Sequence, residues 1–401
     1  MPTGNDRPSL TATAILGVTA ALMMIGVVMI ASATSSLDRG LLSGALWSSV
    51  FVRQFGFATL SFIAMLTFAR FGYRAFAWRA RSWWQPSVVL VFLAVGCLAA
   101  VFIPSVGIER NGARRWLAVG PLEYGLNFQP SELSKVALVV FLAAFLASRR
   151  AHVKSASRTL LPAVLVIGLL SALVGLEDFG TAALMALVGG AMLLVAGCRI
   201  RHVALCAVPG AAAAAYLVYF EPYRWQRLTS FFNIWADPRG AGYHPIQSLA
   251  TIASGGWYGR GLGASVQKYG YLPASQTDFI FSVLCEETGL WGGLTVIGLF
   301  MILLWLGLRV MRRAEGAQPR LLAFGVTLLL CLQAAINIAV VTVVAPTKGI
   351  ALPFVSAGGS GVIFLGALVG LLAGVAQTEG QNLSGCARRV ATSGPSLQPV
   401  A

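Results

Sequence analysis

Residues 130–150 read PSELSKVALVVFLAAFLASRR. A proline opens the stretch, and proline suits the first position of a helix. Glu132 follows in the first turn, where the helix dipole favours an anion. The run from Val136 to Ala147 is entirely apolar and ends at Arg149-Arg150. About 20 mostly apolar residues are what a helix needs to cross a bilayer. Lys135 lies three residues after Glu132, on the same helical face. At a water-facing surface this would be an ordinary ion pair. In a membrane helix, charges usually line a cavity or a substrate path.

Outward from this helix, similar runs recur at 11–32, 50–70, 87–104, 130–148, 159–176, 180–198, 203–220, 279–308, 321–345 and 353–376. The 401 residues are 57% hydrophobic and only 11% charged, against about 25% charged in soluble domains. The fold expected is an all-α integral membrane protein of about ten transmembrane helices. The membrane domain covers 11–376, after a cytoplasmic segment at 1–10. The run from Thr11 to Ile30 exceeds the roughly 7–15 apolar residues of a cleaved leader, so it reads as a retained first helix despite Ala31-Ser32-Ala33. The tail at 377–401 is rich in Gly, Ser and Pro, a composition expected to be disordered.

The net charge of +15 is explained by topology. Arg70, Arg74, Arg79 and Arg81 sit in one short loop. Arg149, Arg150, Lys154 and Arg158 sit in the next on that side. Arg199 and Arg201, then Arg309, Arg312, Arg313 and Arg320, follow in the same alternation. Basic short loops mark the cytoplasmic side, which places both termini there. The outer loops are then 105–129 and 221–278, the second a large ordered cap between helices 7 and 8. No basic stripe interleaves with aromatics on a polar surface, so a nucleic-acid partner is not expected. Six cysteines without C-x-x-C spacing and three scattered histidines give no zinc or haem pattern.

The polar residues cluster on the outer side. Gln129, Ser131, Glu132 and Lys135 lie at the mouth of the fourth helix. Glu177-Asp178 fill a short outer turn, where Asp178 is either a helix cap or functional. The long loop carries Arg227, Gln247, Lys268 and a Gly-rich stretch at 254–263, whose backbone N–H groups can approach an anion. Asp278 stands at the mouth of the next span. Two prolines and four glycines between Pro346 and Gly361 exclude a continuous helix. Such backbone is tolerated at membrane depth only against protein or a wet cavity. Gly358 and Gly359, flanked by Ser356 and Ser360, suit a small nest of donors there.

In order and spacing, NGARRWLAVGP (111–121), FQPSELSK (128–135), DFGTA (178–182), YRWQRL (223–228), WADPRGAGY (235–243), IQSLATIASGGWYGRGLG (246–263), SVQKYGYLP (265–273), TDFIFSVLCEETGLWGG (277–293) and PTKGIALPFVSAGGSG (346–361) resemble the SEDS family (shape, elongation, division and sporulation). The PTKG and SVQK segments are more similar to its FtsW-like division branch than to its RodA-like elongation branch. The resemblance implies ten transmembrane helices in the bacterial plasma membrane. It also implies a peptidoglycan glycosyltransferase that polymerises lipid II on the extracytoplasmic face, in septal wall synthesis.

The partners it implies are lipid II, a class B penicillin-binding protein, other divisome membrane proteins and the surrounding lipid. Asp278 would be the catalytic acid. Arg115 and Trp116, the family's Arg-Trp pair, would contact substrate. So would Gln129, Ser131, Glu132, Lys135, Arg227, Gln247, Lys268, Lys348, Ser356, Gly358, Gly359 and Ser360. A divalent cation, Mg²⁺ or Mn²⁺, is an optional helper at the diphosphate. The chain departs from the family pattern at Ala274-Ser275-Gln276, where Glu and His are common, at Leu176-Glu177, at His244 and at Ala357. Two other classes fit ten helices with intramembrane charge: a lipid II flippase, and a non-catalytic scaffold for a transpeptidase. A flippase needs polar residues through both membrane halves, whereas the clusters here are on the outer side.

Overall fold

The structure, a computed structural model, describes residues 9–34, 50–78, 84–103, 106–110, 113–118, 127–265 and 274–392. Twelve α-helices run through them in chain order: α1 Leu10–Thr34, α2 Val50–Phe71, α3 Pro86–Ala100, α4 Pro130–Ser148, α5 Leu161–Gly175, α6 Phe179–Ala196, α7 Ile200–Tyr219, α8 Pro222–Phe232, α9 Tyr243–Gly255, α10 Ile280–Arg313, α11 Ala317–Val341 and α12 Ser360–Thr392. Among the described residues, nine helices are long and apolar enough to cross a membrane. The shorter apolar α3 brings the total to the ten spans read from the sequence. The chain is a multi-pass helical membrane protein.

The centre of the bundle is α4. It is buried on every side from Leu133 to Leu146 and packs against α3, α6, α11 and α12. Close helix approach is carried by glycine, as usual where lipid provides no hydrophobic drive between helices. Gly366 and Gly370 of α12 lie directly on the α2 backbone at Ser61 and Met65. At the other extreme, α7 buries none of its residues. It touches the rest chiefly through α6, α8 and the α4–α5 connection.

Four features correct the sequence expectation. The first outer segment is not simply loop. Gly107–Arg110 (β1), Ala113–Ala118 (β2) and Asn127–Phe128 (β3) form a three-stranded antiparallel sheet in the order β1-β2-β3. Short strands with charged residues give little periodic signal. The long outer segment contains two further helices, α8 and α9. The eighth span is broken at Gly289, which takes φ 72° and ψ −170°, a conformation closed to residues with a side chain. Finally, α12 starts only at Ser360 but stays helical to Thr392, past the expected boundary at 376. No proline lies between Pro353 and Pro395 to stop it.

Candidate active site

The site sits where the start of α10, the turn before α6, the strand β2 and the segment between α11 and α12 converge. Asp278 is half-buried one residue before the cap of α10. Its position is held by backbone. Asn337 of α11 donates Nδ2 to the Asp278 carbonyl at 2.8 Å and to the Ile350 carbonyl at 2.7 Å. Ser356 donates to the Thr277 carbonyl at 2.6 Å and accepts from the Leu352 N–H at 2.8 Å. Ala357 N–H reaches the Gln276 carbonyl at 3.0 Å. The loop at 346–359 is thereby stitched to the residues around Asp278. On its side-chain face stands Gly349, where a Cβ would lie 3.0 Å from Asp278 Oδ2.

Burial raises the carboxyl of Asp278 to about 6, and the nearby Asp178 adds to the rise. Arg115 and Arg227 pull it back down. One acid therefore senses a second acid and two guanidiniums. Asp178 caps α6, accepting from Thr181 N at 3.1 Å and from Thr181 Oγ1 at 2.7 Å. The cap and the electrostatic role coexist in one residue. Lys348 Nζ stands 4.8 Å from the centre of the Phe179 ring. Burial lowers its affinity for a proton, and Asp178 offsets part of that loss.

A narrow cleft runs beside this centre. Its polar wall carries Arg114, Arg115, Gln129, Ser131, Glu177 and Asp178, and its apolar wall comes from α3 and α5. Two buried polar atoms of its lining have no hydrogen-bond partner among the described residues: Arg115 Nε and Ser131 Oγ. Unpaired buried polar atoms are rare and costly. Grouped at one cleft, they suit a polar ligand. Glu177 Oε2 accepts the Arg114 N–H at 2.9 Å, which fixes the sheet to the α5–α6 turn.

The residues expected to bind substrate fall into three groups. Arg115, Gln129 and Ser131 line the cleft, Arg227 acts on Asp278, and Lys348 faces Asp178. A second group is spent on structure. Lys135 is 2% exposed and pairs with Glu132 Oε1 and Gln333 Oε1, both at 2.8 Å. Ser356 is fully engaged as described. Ser360 Oγ accepts from the Gln129 N–H at 3.1 Å, and Gly359 makes a left-handed turn at φ 50° before α12. Gln247 lies half-buried on α9, and Trp116, paired with Ile108 across the strands, does not line the cleft. Lys268 lies outside the described residues.

The Gly-rich loop is also reassigned. Arg260 N–H and Gly261 N–H bond the carbonyls of Glu286 and Glu287, each at 3.0 Å, and Leu290 N–H bonds the Gly256 carbonyl at 3.0 Å. The loop satisfies the backbone freed by the break in α10, so those donors are not available to an anion. Beneath it, buried Glu286 meets Arg260 at 3.5 Å, and Ser32 donates to Glu287 at 2.7 Å.

Sequence reading passed over Gln333 and Asn337. The available signal was two amides four residues apart inside an apolar span, hence on one face. His244 is a further addition. Its ring stacks on Phe279 at 5.9 Å, and burial, followed by the charge of Arg227, lowers its affinity for a proton.

A family model described as Cell cycle protein, for FtsW, RodA and SpoVE, matches residues 12–381. "Stage V sporulation protein E" of Bacillus subtilis is 37% identical over 369 residues, covering 90% of this chain and 95% of its own. "Probable peptidoglycan glycosyltransferase FtsW" of Nitrosococcus halophilus is 40% identical over 367 residues, covering 89% and 90%. A chain from a solved peptidoglycan synthase complex that coordinates polymerization and crosslinking superposes with a TM-score of 0.72 at 26% identity, over 92% of this chain and 98% of that one.

Proposed function

The chain belongs to the FtsW/RodA/SpoVE family of cell cycle proteins, and from that membership we propose how its site works. The protein is a peptidoglycan glycosyltransferase that polymerises lipid-linked disaccharide units, with a role in septal wall synthesis. The substrate proposed is lipid II, presented from the membrane on the extracytoplasmic face. The observation that carries the reading is the placement of Asp278, a carboxyl raised to about 6 between Asp178, Arg115 and Arg227.

In this reading Asp278 is the general base. It takes the proton from the 4-hydroxyl of the acceptor's N-acetylglucosamine. That oxygen forms a bond to C1 of the N-acetylmuramic acid at the reducing end of the growing strand. The bond from C1 to the lipid diphosphate breaks, and undecaprenyl diphosphate leaves with the electron pair. A base whose pKa lies near the working pH combines ionisation with proton affinity. Arg115, Arg227 and Lys348 are placed to offset the charge on the leaving diphosphate. Holding both lipid-linked sugars at Asp278 supplies proximity.

Mg²⁺ is commonly held by one or two carboxylates together with substrate phosphates. Asp178 and Asp278 match that minimal set. Among the described residues no three His, Cys, Asp or Glu side chains converge as a protein-held metal site requires. The cation proposed is therefore one that arrives with the diphosphate, and no step above is routed through it. The partner proposed is a class B penicillin-binding protein that cross-links the new strand, alongside other divisome membrane proteins.

The test is Asp278→Asn in the purified protein with lipid II and its transpeptidase partner. Polymerisation falls by about 10²–10⁴-fold while partner binding is kept. Strand synthesis near the wild-type rate defeats the assignment.

A further inference from the structure

The end of the bundle opposite the sheet carries a feature that glycosyl transfer does not use. Between α4 and α5 the chain makes a short 3₁₀ turn, Arg150–His152, and a π-helical stretch, Ala156–Leu160. The connection is well tied. His152 N–H bonds the Arg149 carbonyl at 2.8 Å, and Ser155 N–H bonds the His152 carbonyl at 2.9 Å. Thr159 Oγ1 donates to the His152 carbonyl at 2.8 Å. This frame lines an open concavity of about 450 Å³ whose polar lining is Arg150, His152, Lys154, Ser155 and Arg158.

Its lining contains no acid. Among the described residues no ion pair involves Arg150, Lys154 or Arg158. The concavity also lies at headgroup level, because α4 ends at Ser148 and the next span begins at Ala156. Below it, Leu161, Leu165 and Leu169 are 53%, 63% and 49% exposed and line one face of α5 at i, i+4 and i+8. A cationic bowl above an apolar stripe has the shape of an anionic phospholipid.

We propose that the α4–α5 connection is a binding site for an anionic phospholipid. Its phosphate sits among Arg150, Lys154 and Arg158, and its acyl chains follow the α5 leucines. Basic residues scattered on an inner membrane face attract anionic lipid diffusely. A built site differs because it retains particular molecules.

The experiment compares the full-length protein in nanodiscs of phosphatidylglycerol or phosphatidylcholine, with native mass spectrometry of retained lipid. Phosphatidylglycerol stays bound to the wild type and phosphatidylcholine does not. In R150Q/K154Q/R158Q that retention falls roughly a hundredfold, about fivefold per charge removed. The control R309Q/R312Q/R313Q removes as many charges from the same end and keeps the lipid. Equal loss in both triple variants overturns the proposal in favour of diffuse attraction. Displacement of the lipid by inorganic phosphate overturns it in favour of a soluble anion. Photoactivatable phosphatidylglycerol on the wild type needs no variant to fold. Labelling within 149–169 supports the site, and labelling confined elsewhere overturns it.

Discussion

Asp278 owes its basicity to its surroundings, and each contribution can be removed separately. A general base works only when deprotonated, so the rate falls as pH drops through about 6. Asp178→Asn keeps a capping side chain on α6 but removes a like charge. The acid limb of the pH–rate profile then moves below 6, staying above the ordinary 3.8 because burial is the larger cause. Arg115→Gln removes a cation and moves the limb upward. Opposite shifts in the two variants are the diagnostic result; a common shift would refute the electrostatic account. Gly349→Ala tests position instead of charge. The added methyl lies 3.0 Å from Asp278 Oδ2, so the carboxylate must turn. The shift needed is a few tenths of an ångström, and since about 1 Å costs about 10²-fold, turnover is expected to fall severalfold with little change in melting temperature.

At the scale of elements, α11 is the strut that positions the catalytic loop. Gln333 and Asn337 are one turn apart. The first holds Lys135 on one side and the Ala351 carbonyl, at 2.9 Å, on the other. The second holds the backbone of Asp278 and Ile350. The Glu132–Lys135 pair joins this lattice from α4. Lys135→Met strands a carboxylate in the interior and is expected to cost about 3–5 kcal/mol of stability. The double change Glu132→Gln with Lys135→Met recovers most of that loss, measured as thermal unfolding in detergent. The charged pair itself was legible in the sequence. Its use was not, because spacing along α4 cannot say that a glutamine some 200 residues later completes it, a separation of 198.

At the scale of the whole molecule, hydropathy and loop charge were enough to read ten spans, since each depends on a window of about 20 residues. The sheet, the break at Gly289 and the onset of α12 at Ser360 escaped, because each is set by partners distant in sequence. The site divides the same way. Arg115 and Arg227 act on Asp278, and Asp178 acts on both Asp278 and Lys348. Ser356 and the Gly-rich loop were expected at the ligand, yet they are occupied by backbone groups. Orientation can be tested directly. A single cysteine introduced at position 239, on a cysteine-free background, is expected to react with a membrane-impermeant thiol reagent in intact cells. One at position 312 is expected to react only after permeabilisation, and the reverse pattern would invert the topology.

The gap in α10 at Gly289 has a mechanical corollary. Its orphaned carbonyls are capped by N–H groups from Arg260 and Gly261, so lifting that loop would leave them bare in a greasy surrounding. The loop and the short upper piece of α10 are thus tied together by backbone hydrogen bonds, and Asp278 stands just before that piece. A change in that loop is therefore felt along the upper piece of α10, beside Asp278.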